Sequence, residues 1–232
     1  SMAMLNILNE IKEDMKIEIF VAHINHMIRE EAIDDEKYVQ NYCAKHNIEF
    51  YAKRINVKEI ANNNKIGTEE AGRNVRYAFF EEIKNKTNSN KIAIAHNKND
   101  KIETIIMNLL RGSGLSGLKG IEPIRDNKYI RPLIDCERDE IENYCKENSL
   151  NPRIDKTNLE NDYTRNKIRN IVIPYIKQEF NPNIIETINR LSCVATDESD
   201  FIEKQAREIF TDILIEQTKS QIVLDLNKFN TQ

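Results

Sequence analysis

Residues 91–121 read KIAIAHNKNDKIETIIMNLLRGSGLSGLKGI, and this stretch decides the fold class. Its first five residues, KIAIA, predict a short strand. An amphipathic helix follows, marked by apolar residues at helical spacing: Ile102, Ile105, Ile106, Leu109 and Leu110. Four of the chain's six glycines then fall within residues 111–120. A strand that leads into a helix is the repeating unit of α/β proteins.

The same alternation extends toward the N-terminus. Residues 17–22 (IEIFVA) predict a buried parallel strand and residues 49–55 a second one. Helices are predicted before them from Met2 to Ile11, between them over 34–46, and after them over 68–84. Strands that alternate with helices indicate an α/β domain with a parallel sheet.

The second half of the sequence changes character. Residues 138–148 predict a helix, residues 183–218 a long helical pattern broken at most once, and residues 221–226 a strand. Because a lone strand needs a partner, we interpret the end of the chain as a cut through a longer protein. The predicted division is 1–180 for the α/β domain, 181–220 for a helical extension and 221–232 for the start of a further segment.

The composition argues against several classes of protein. The formal net charge of -4 disfavours a chain that coats nucleic acid by bulk charge, although a local basic patch is compatible with it. No apolar run approaches the roughly 20 residues of a membrane span, and no signal peptide is recognised, so a cytoplasmic protein is expected. The four cysteines form no Cys-x-x-Cys pair, which weakens zinc, iron–sulfur and thioredoxin-like interpretations.

The glycine-rich segment formally contains G-x-G-x-x-G through Gly112, Gly114 and Gly117. The dinucleotide fingerprint places that pattern between a strand and a helix, whereas here it follows a helix, so we reject a dinucleotide site. Glycines let a backbone approach a ligand closely, and the Arg111 guanidinium offers paired donors to a phosphate. We therefore favour a loop that faces a phosphate or nucleotide over a helix cap followed by an ordinary turn.

Polar residues follow the predicted strands at the sheet edge where ligands bind in open α/β folds. The first strand leads into His23 and His26, and the third into His96. Zinc is disfavoured here because no matching Cys or His pair occurs elsewhere. Backbone contacts to an adenine, with the histidines shaping the pocket, fit better.

Two further pairs leave alternatives open. Asp100 and Glu103 are spaced either as a capping box or as two carboxylates that grip an ammonium group. Arg73 and Arg76 lie one turn apart on one helix face, where they bind a phosphate or form an ordinary solvated face.

Five stretches together resemble one family, the tRNA(Ile)-lysidine synthetases, a branch of the PP-loop ATP pyrophosphatases. They follow the family's order over residues 21–174 and read VAHINHMIRE, TEEAGRNVRY, AHNKNDKIETIIMNLLRGSGLSGLKGI, RPLI with a following RDEI, and DKTNLENDYTRNKIRNIVIP. Lys101 departs from the Gln that is usual in the family. The family's Ser-Gly-Gly-x-Asp-Ser loop matches at most at Ser1, which is alternatively an expression scar. We therefore expect the first strand and most of that loop to be missing, and the chain as it stands to be inactive.

The resemblance implies a PP-loop ATPase domain with a parallel sheet, followed by a helical extension. It also implies an ATP-dependent ligase. With ATP and Mg²⁺, the wobble cytidine of a tRNA(Ile) with a CAU anticodon is adenylated, and the ε-amine of free L-lysine then displaces AMP. Arg111, Asp100 and Glu103 take the catalytic roles, the last two by binding lysine. Nucleotide-binding roles fall on Ser1, Ala22, His23, Ile24, Arg29, Arg73, His96, Arg111, Gly112 and Gly114. This requires His23 and His96 to face the segment after Leu110.

A basic stretch, YTRNKIRN, carries Arg165, Lys167 and Arg169 and predicts a tRNA contact, the alternative being the start of a surface helix. The nearby DKTN of residues 155–158 fits the same role. Two rival functions stay open: another PP-loop enzyme, such as a tRNA thiolase or an amidotransferase-type synthetase, and a non-catalytic tRNA-binding module. No membrane partner is expected, and a homodimer is left open.

Overall fold

The computed structural model describes residues 1–29, 31–152 and 163–229. The chain divides into two compact units. We call residues 1–97 with 122–156 the sheet unit, and residues 98–121 with 157–232 the helical unit. The predicted fold class, an α/β domain with a parallel sheet and a helical C-terminal region, is confirmed. The domain boundaries predicted near residues 180 and 220 stay predictions.

The described residues form helices and strands that we number in chain order. The helices are α1 (Met2–Ile11), α2 (Ala32–Lys45), α3 (Val57–Asn64), α4 (Thr68–Lys86), α5 (Lys98–Leu110), α6 (Leu115–Leu118), α7 (Arg138–Glu147), α8 (Thr164–Lys167), α9 (Ile173–Glu179), α10 (Ile184–Ile213) and α11 (Leu226–Phe229), with a π-helix at Ile168–Val172. The strands are β1 (Phe20–Asn25), β2 (Glu49–Arg54), β3 (Ile92–Ala93), β4 (Ile124–Arg125), β5 (Tyr129–Ile130), β6 (Leu214–Gln217) and β7 (Ile222–Leu224).

The parallel pairing of β1 with β2 organises the sheet unit. Six residues pair in register, from Phe20 opposite Glu49 onward, and α2 supplies the crossover that parallel strands need. The predicted strand over 17–22 is shifted, because β1 begins at Phe20 and runs on to Asn25. Pairing with β2, and not the apolar run alone, sets its limits. A second sheet has the order β3-β5-β4, with β5 parallel to β3 and antiparallel to β4.

Helix α1 is anchored to the sheet unit by both apolar and polar contacts. Met2 and Leu5 pack against Cys43 of α2 in one buried cluster. On the polar side, Asn6 accepts a hydrogen bond of 2.5 Å from the Tyr42 hydroxyl of α2 and donates one of 2.8 Å to the Tyr144 hydroxyl of α7. Because Asn6 is itself buried, these bonds offset the cost of removing its amide from water.

Isoleucines build the core of the helical unit. Ile102, Ile105 and Ile106 of α5 are buried against Ile168 of the π-helix and Ile185 of α10. The spacing of the α5 isoleucines is the pattern that predicted this helix, and the prediction is confirmed. The π-helix is followed by α9, in which a proline occupies the first turn and lacks the backbone N–H of an ordinary helix ladder.

The C-terminal part of the helical unit differs from its prediction in two ways. Helix α10 is continuous for 30 residues and ends at Ile213, so residues 214–217, predicted as helix, form β6 instead. The strand predicted over 221–226 is not alone, because β7 pairs with β6 as an antiparallel hairpin. The premise that this strand lacks a partner is therefore wrong. Among the described residues, no helix is both long and apolar enough to span a membrane.

Gly120 is required by its backbone and its surroundings. Its φ is +70°, and a Cβ atom there would lie 2.7 Å from Cγ1 of the buried Ile105. We expect Gly120→Ala to lower the free energy of unfolding by about 2 kcal/mol, from left-handed strain together with overpacking. Urea unfolding followed by circular dichroism measures this. The control is Gly114→Ala, since a Cβ at Gly114 meets nothing within 4 Å and φ is -71°. Equal losses in the two variants would contradict the prediction.

Candidate functional site

The carboxyl end of β1 is held by a buried polar network. Asn25, the last residue of the strand, is 3% exposed and donates a hydrogen bond of 3.2 Å to Glu36 of α2. Arg54, the last residue of β2, holds the same Glu36 through bonds of 2.9 and 3.0 Å. The hydrogen bond from Arg54 is the largest of the causes that lower the pKa of Glu36. The two parallel strand ends are thereby fixed beside the residues predicted to shape a nucleotide pocket, His23 and its neighbours.

His26 is a neutral ring whose proton position follows from its neighbour. Burial, followed by the charges of Arg76 and His23, lowers the pKa of His26 to about 4. The Nη2 atom of Arg76 lies 3.3 Å from Nε2 of His26. Because a guanidinium only donates, Nε2 accepts and the ring proton is on Nδ1. That buried Nδ1 has no hydrogen-bond partner among the described residues.

His96 is predicted to line the nucleotide pocket, and a hydrogen bond from Arg131 fixes which of its ring nitrogens carries the proton. The Nε atom of Arg131 donates to Nδ1 of His96 at 3.2 Å, and its Nη1 donates to the backbone oxygen of Glu122. Arg131 is only 6% exposed. Since Nδ1 of His96 accepts, the ring proton lies on Nε2. Sequence analysis missed Arg131 as a site residue, although it opens the quoted RPLI motif.

The other predicted nucleotide-binding residues of the sheet unit lie as follows. Arg29 forms an ion pair with Asp35 of α2. Arg73 is exposed on α4, with its guanidinium 5.2 Å from the centre of the Tyr77 ring. Ala22 and Ile24 flank His23 within β1, and Ser1 is the N-cap residue of α1. Their nucleotide-binding roles stay predictions.

Asp100 and Glu103 of α5 hold an arginine in the helical unit. Arg169 of the π-helix donates to both oxygens of Glu103, at 2.6 and 2.7 Å, and to Asp100 at 3.1 Å. Arg165 adds an ion pair of 3.4 Å to Glu103 and a hydrogen bond of 2.7 Å to Thr104. The side chain of Glu103 is 1% exposed, whereas that of Asp100 is 18% exposed. In this structure the pair therefore forms ion pairs with a guanidinium of the chain itself, and the role of Asp100 and Glu103 toward lysine stays a prediction.

The basic stretch predicted to contact tRNA divides into two kinds of residue. Arg165 and Arg169 turn inward to the carboxylates of α5, while Lys167 is exposed. In the sequence the three are indistinguishable, because their inward or outward direction depends on the carboxylates of α5, which are distant along the chain. Their tRNA contact stays a prediction, and DKTN of residues 155–158 lies outside the described residues.

The glycine-rich segment is an ordered turn on the end of α5. Gly112 has a φ of +75°, and the Ser113 N–H bonds to the Asn108 carbonyl, as in a helix C-cap. A Cβ at Gly117 would lie 2.3 Å from Cβ of Ser113, so close packing requires this glycine. The cap interpretation therefore accounts for Gly112. Arg111 is exposed, and its guanidinium has no ion-pair partner in the part of the chain that the structure describes. Its role toward phosphate, like that of Gly112 and Gly114, stays a prediction.

Comparison with known proteins places this geometry in context. Residues 1–176 match the sequence model of a family described as the PP-loop domain. The chain is 48% identical over 231 residues to the tRNA(Ile)-lysidine synthase of Clostridium acetobutylicum. The aligned region covers 99% of the chain and 50% of that relative. It is 49% identical over 230 residues to the tRNA(Ile)-lysidine synthase of Clostridioides difficile, with the same two shares. The chain thus spans about half the length of these curated relatives.

A solved structure gives a fold comparison. The U34-tRNA thiolase NcsA from Methanococcus maripaludis, with its [4Fe-4S] cluster, superposes with a TM-score of 0.61 over 83% of this chain and 68% of its own. The sequence identity is 19%. Similarity at this level shows a shared fold and carries no argument about the reaction.

Arg131 should fix the tautomer of His96. In ¹⁵N-histidine-labelled protein, we expect the Nδ1 resonance of His96 to be that of an unprotonated acceptor and the Nε2 resonance that of an N–H. Arg131→Met removes the donor and should shift the ring toward a mixture of tautomers. Lys58→Met, on the exposed face of α3, should leave the resonances unchanged. A His96 ring protonated on Nδ1 in the unmodified protein would contradict the assignment.

Glu103 should contribute more to stability than any surface carboxylate of the helical unit. Glu103→Gln leaves the Arg169 guanidinium, 15% exposed, without its main counter-charge. We expect the free energy of unfolding to fall by about 3 kcal/mol. The control is Glu186→Gln, whose carboxylate is 49% exposed and pairs with Lys98 at 3.4 Å; its loss should stay below about 1 kcal/mol. Denaturant titration compares the two, and similar losses would show that the buried pair contributes no more than a surface one.

Proposed function

The chain belongs to the PP-loop domain family, and we propose that it carries the ATP-binding and lysine-binding part of a tRNA(Ile)-lysidine synthase. Its substrates are then ATP, free L-lysine and a tRNA(Ile) with a CAU anticodon. The support is twofold: relatives of that name are 42–49% identical over nearly the whole chain, and α5 presents a carboxylate pair that binds a cation. The carboxylate pair is the observation that carries the lysine assignment.

The proposed reaction has two steps. The wobble cytidine attacks the α-phosphorus of ATP through its carbonyl oxygen, which forms an adenylate and releases pyrophosphate. The ε-amine of lysine then adds to the carbon of that carbonyl group, and AMP leaves with the oxygen. Negative charge accumulates on the departing pyrophosphate, so a donor beside it lowers the barrier. Arg111 suits this role because its exposed guanidinium has no counter-charge among the described residues.

Lysine carries two amino groups, and the carboxylate pair discriminates between them. An ammonium held by carboxylates keeps its proton, because an adjacent negative charge favours the charged form. A protonated amine is not a nucleophile. We therefore assign Asp100 and Glu103 to the α-ammonium, which leaves the ε-amine free to lose its proton and attack.

The two carboxylates differ in how lysine reaches them. Glu103 is almost fully buried and bonded twice by Arg169, whereas Asp100 is partly exposed and receives a bond of 3.1 Å from the same arginine. Because Asp100 is the more accessible carboxylate, the entering ammonium meets it first. Glu103, which also holds Arg169 in place, is the second carboxylate.

Mg²⁺ belongs to the proposal as the companion of the ATP phosphates. No group of three His, Cys, Asp or Glu side chains that could hold a metal occurs among the described residues. Mg²⁺ usually relies on one or two carboxylates together with substrate phosphates, and this chemistry does not need such a group. No step here is assigned to the metal.

Two substitutions should separate the two steps of the reaction. In the whole protein that contains these residues, Arg111→Ala should abolish tRNA-dependent ATP–pyrophosphate exchange, because adenylation fails. Asp100→Asn should retain the exchange and raise the KM for lysine about tenfold or more, measured as incorporation of radiolabelled lysine into a tRNA(Ile) transcript. A transcript with uridine at the wobble position is the substrate control, and Lys58→Ala is the protein control.

Each result bears on a different part of the proposal. Normal exchange by Arg111→Ala would remove Arg111 from adenylation. An unchanged KM for lysine in a folded Asp100→Asn variant would return Asp100 to a purely structural role. Binding of tRNA with no lysine incorporation by the unmodified whole protein would favour the non-catalytic binding module instead.

A further inference from the structure

A cluster of positive charges surrounds one tyrosine ring in the sheet unit. The guanidinium carbons of Arg73 and Arg125 lie 5.2 and 5.0 Å from the centre of the Tyr77 ring. Arg125 also lies 4.4 Å from the ring centre of Tyr129, which meets Tyr77 edge-on at 5.1 Å. Apart from Arg73, none of these residues has a role in the proposed reaction.

The two rings form a rigid platform beneath the guanidinium groups. Tyr129 of β5 is 5% exposed, and its hydroxyl donates to Glu81 of α4. Lys128 pairs with the same Glu81 at 2.6 Å, which ties the β4–β5 hairpin to α4. Arg73 and Tyr77 lie four residues apart on α4 and so share one face. Guanidinium groups that rest on fixed rings lose little freedom when they bind an anion.

Four arginines gather at this platform. Arg76 and Arg131 adjoin it, and the pKa of each is lowered by burial and further by a neighbouring arginine, Arg73 and Arg125 respectively. The Nε atom of Arg125 is buried and has no hydrogen-bond partner among the described residues, although Asp126 lies 3.4 Å away as an ion pair. In a chain of net charge -4, such a concentration of arginines marks a site for an anion.

We propose that Arg73, Tyr77 and Arg125 form a phosphate-binding surface, and that the phosphates are those of an RNA backbone. Arginine offers paired, planar donors to phosphate oxygens, and the half-buried ring of Tyr77 keeps the two guanidinium groups beside each other. Arg73 is exposed and Arg125 is partly exposed, so a large ligand can reach both. The inference rests on the proposed function only in taking RNA as the molecule that carries the phosphates. The same chemistry would also bind the free polyphosphate of a nucleotide.

The test measures two ligands on the chain and its variants. Fluorescence anisotropy follows a labelled anticodon stem-loop RNA at several salt concentrations, and calorimetry follows inorganic tripolyphosphate. We expect Arg125→Ala to weaken RNA binding about fivefold and to reduce the salt dependence by about one phosphate contact. Arg73→Ala, which removes an exposed side chain from a helix, should do the same without altering the fold. Lys58→Ala, which removes an equivalent exposed charge, should weaken binding less than about twofold.

The outcomes separate the sources of phosphate. Weaker RNA binding, whether or not tripolyphosphate binding also weakens, supports the RNA backbone. Weaker tripolyphosphate binding alone supports a phosphate site but overturns its assignment to RNA. If both arginine variants behave like Lys58→Ala toward both ligands, the surface is not a phosphate site. Lysine incorporation is measured separately with the whole protein that contains these residues, so an arginine-dependent affinity for RNA without lysine transfer by that protein would sink the proposed function and leave this surface standing.

Discussion

A carboxylate in a protein interior must be neutralised, and Glu103 is such a carboxylate. Its ion pair with Arg169 supplies the counter-charge that a side chain with so little access to water requires. This requirement determines which way the chain around the π-helix turns. Arg165 and Arg169 point inward, Lys167 remains outside, and Ile168 between them completes the apolar core against α5. One electrostatic constraint thus accounts for both the packing and the polarity of the helical unit.

In the sheet unit too, arginines hold polar side chains, here at the edge that is predicted to bind a nucleotide. Two polar side chains beside the ends of the parallel strands are each held by an arginine: the buried Glu36 of α2 by Arg54, and the half-buried His96 by Arg131. Because a guanidinium cannot accept, it also decides which histidine nitrogen carries the proton. The sequence predicts that histidines stand at this edge. It does not predict their tautomers, because the deciding arginine comes from a distant part of the chain.

Much of the fold could be predicted from local patterns, and the exceptions have physical causes. The isoleucine spacing of α5 and the β1–α2–β2 alternation depend on neighbouring residues, so periodicity finds them. The end of α10 was misplaced because residues 214–217 remain compatible with a helix until β7 pairs with them. Within the candidate site, the spacing of Asp100 and Glu103 left two interpretations open, and only the family resemblance favoured lysine binding. Their partner Arg169 was assigned to the surface, since composition cannot show on which side a side chain lies.

The glycines of residues 111–120 also show that composition alone does not reveal why a residue is present. Four of them in ten residues suggest a ligand loop, yet three have a reason within the fold: positive φ at Gly112, contact with Ser113 at Gly117, and both positive φ and Ile105 at Gly120. Gly114 has neither a positive φ nor an atom within 4 Å of an added Cβ. Composition therefore overstates the case for a ligand at this segment. Arg111 is the better reason to expect a phosphate here. Its backbone lies in a turn at the end of α5 that these glycines keep compact, and its guanidinium is exposed.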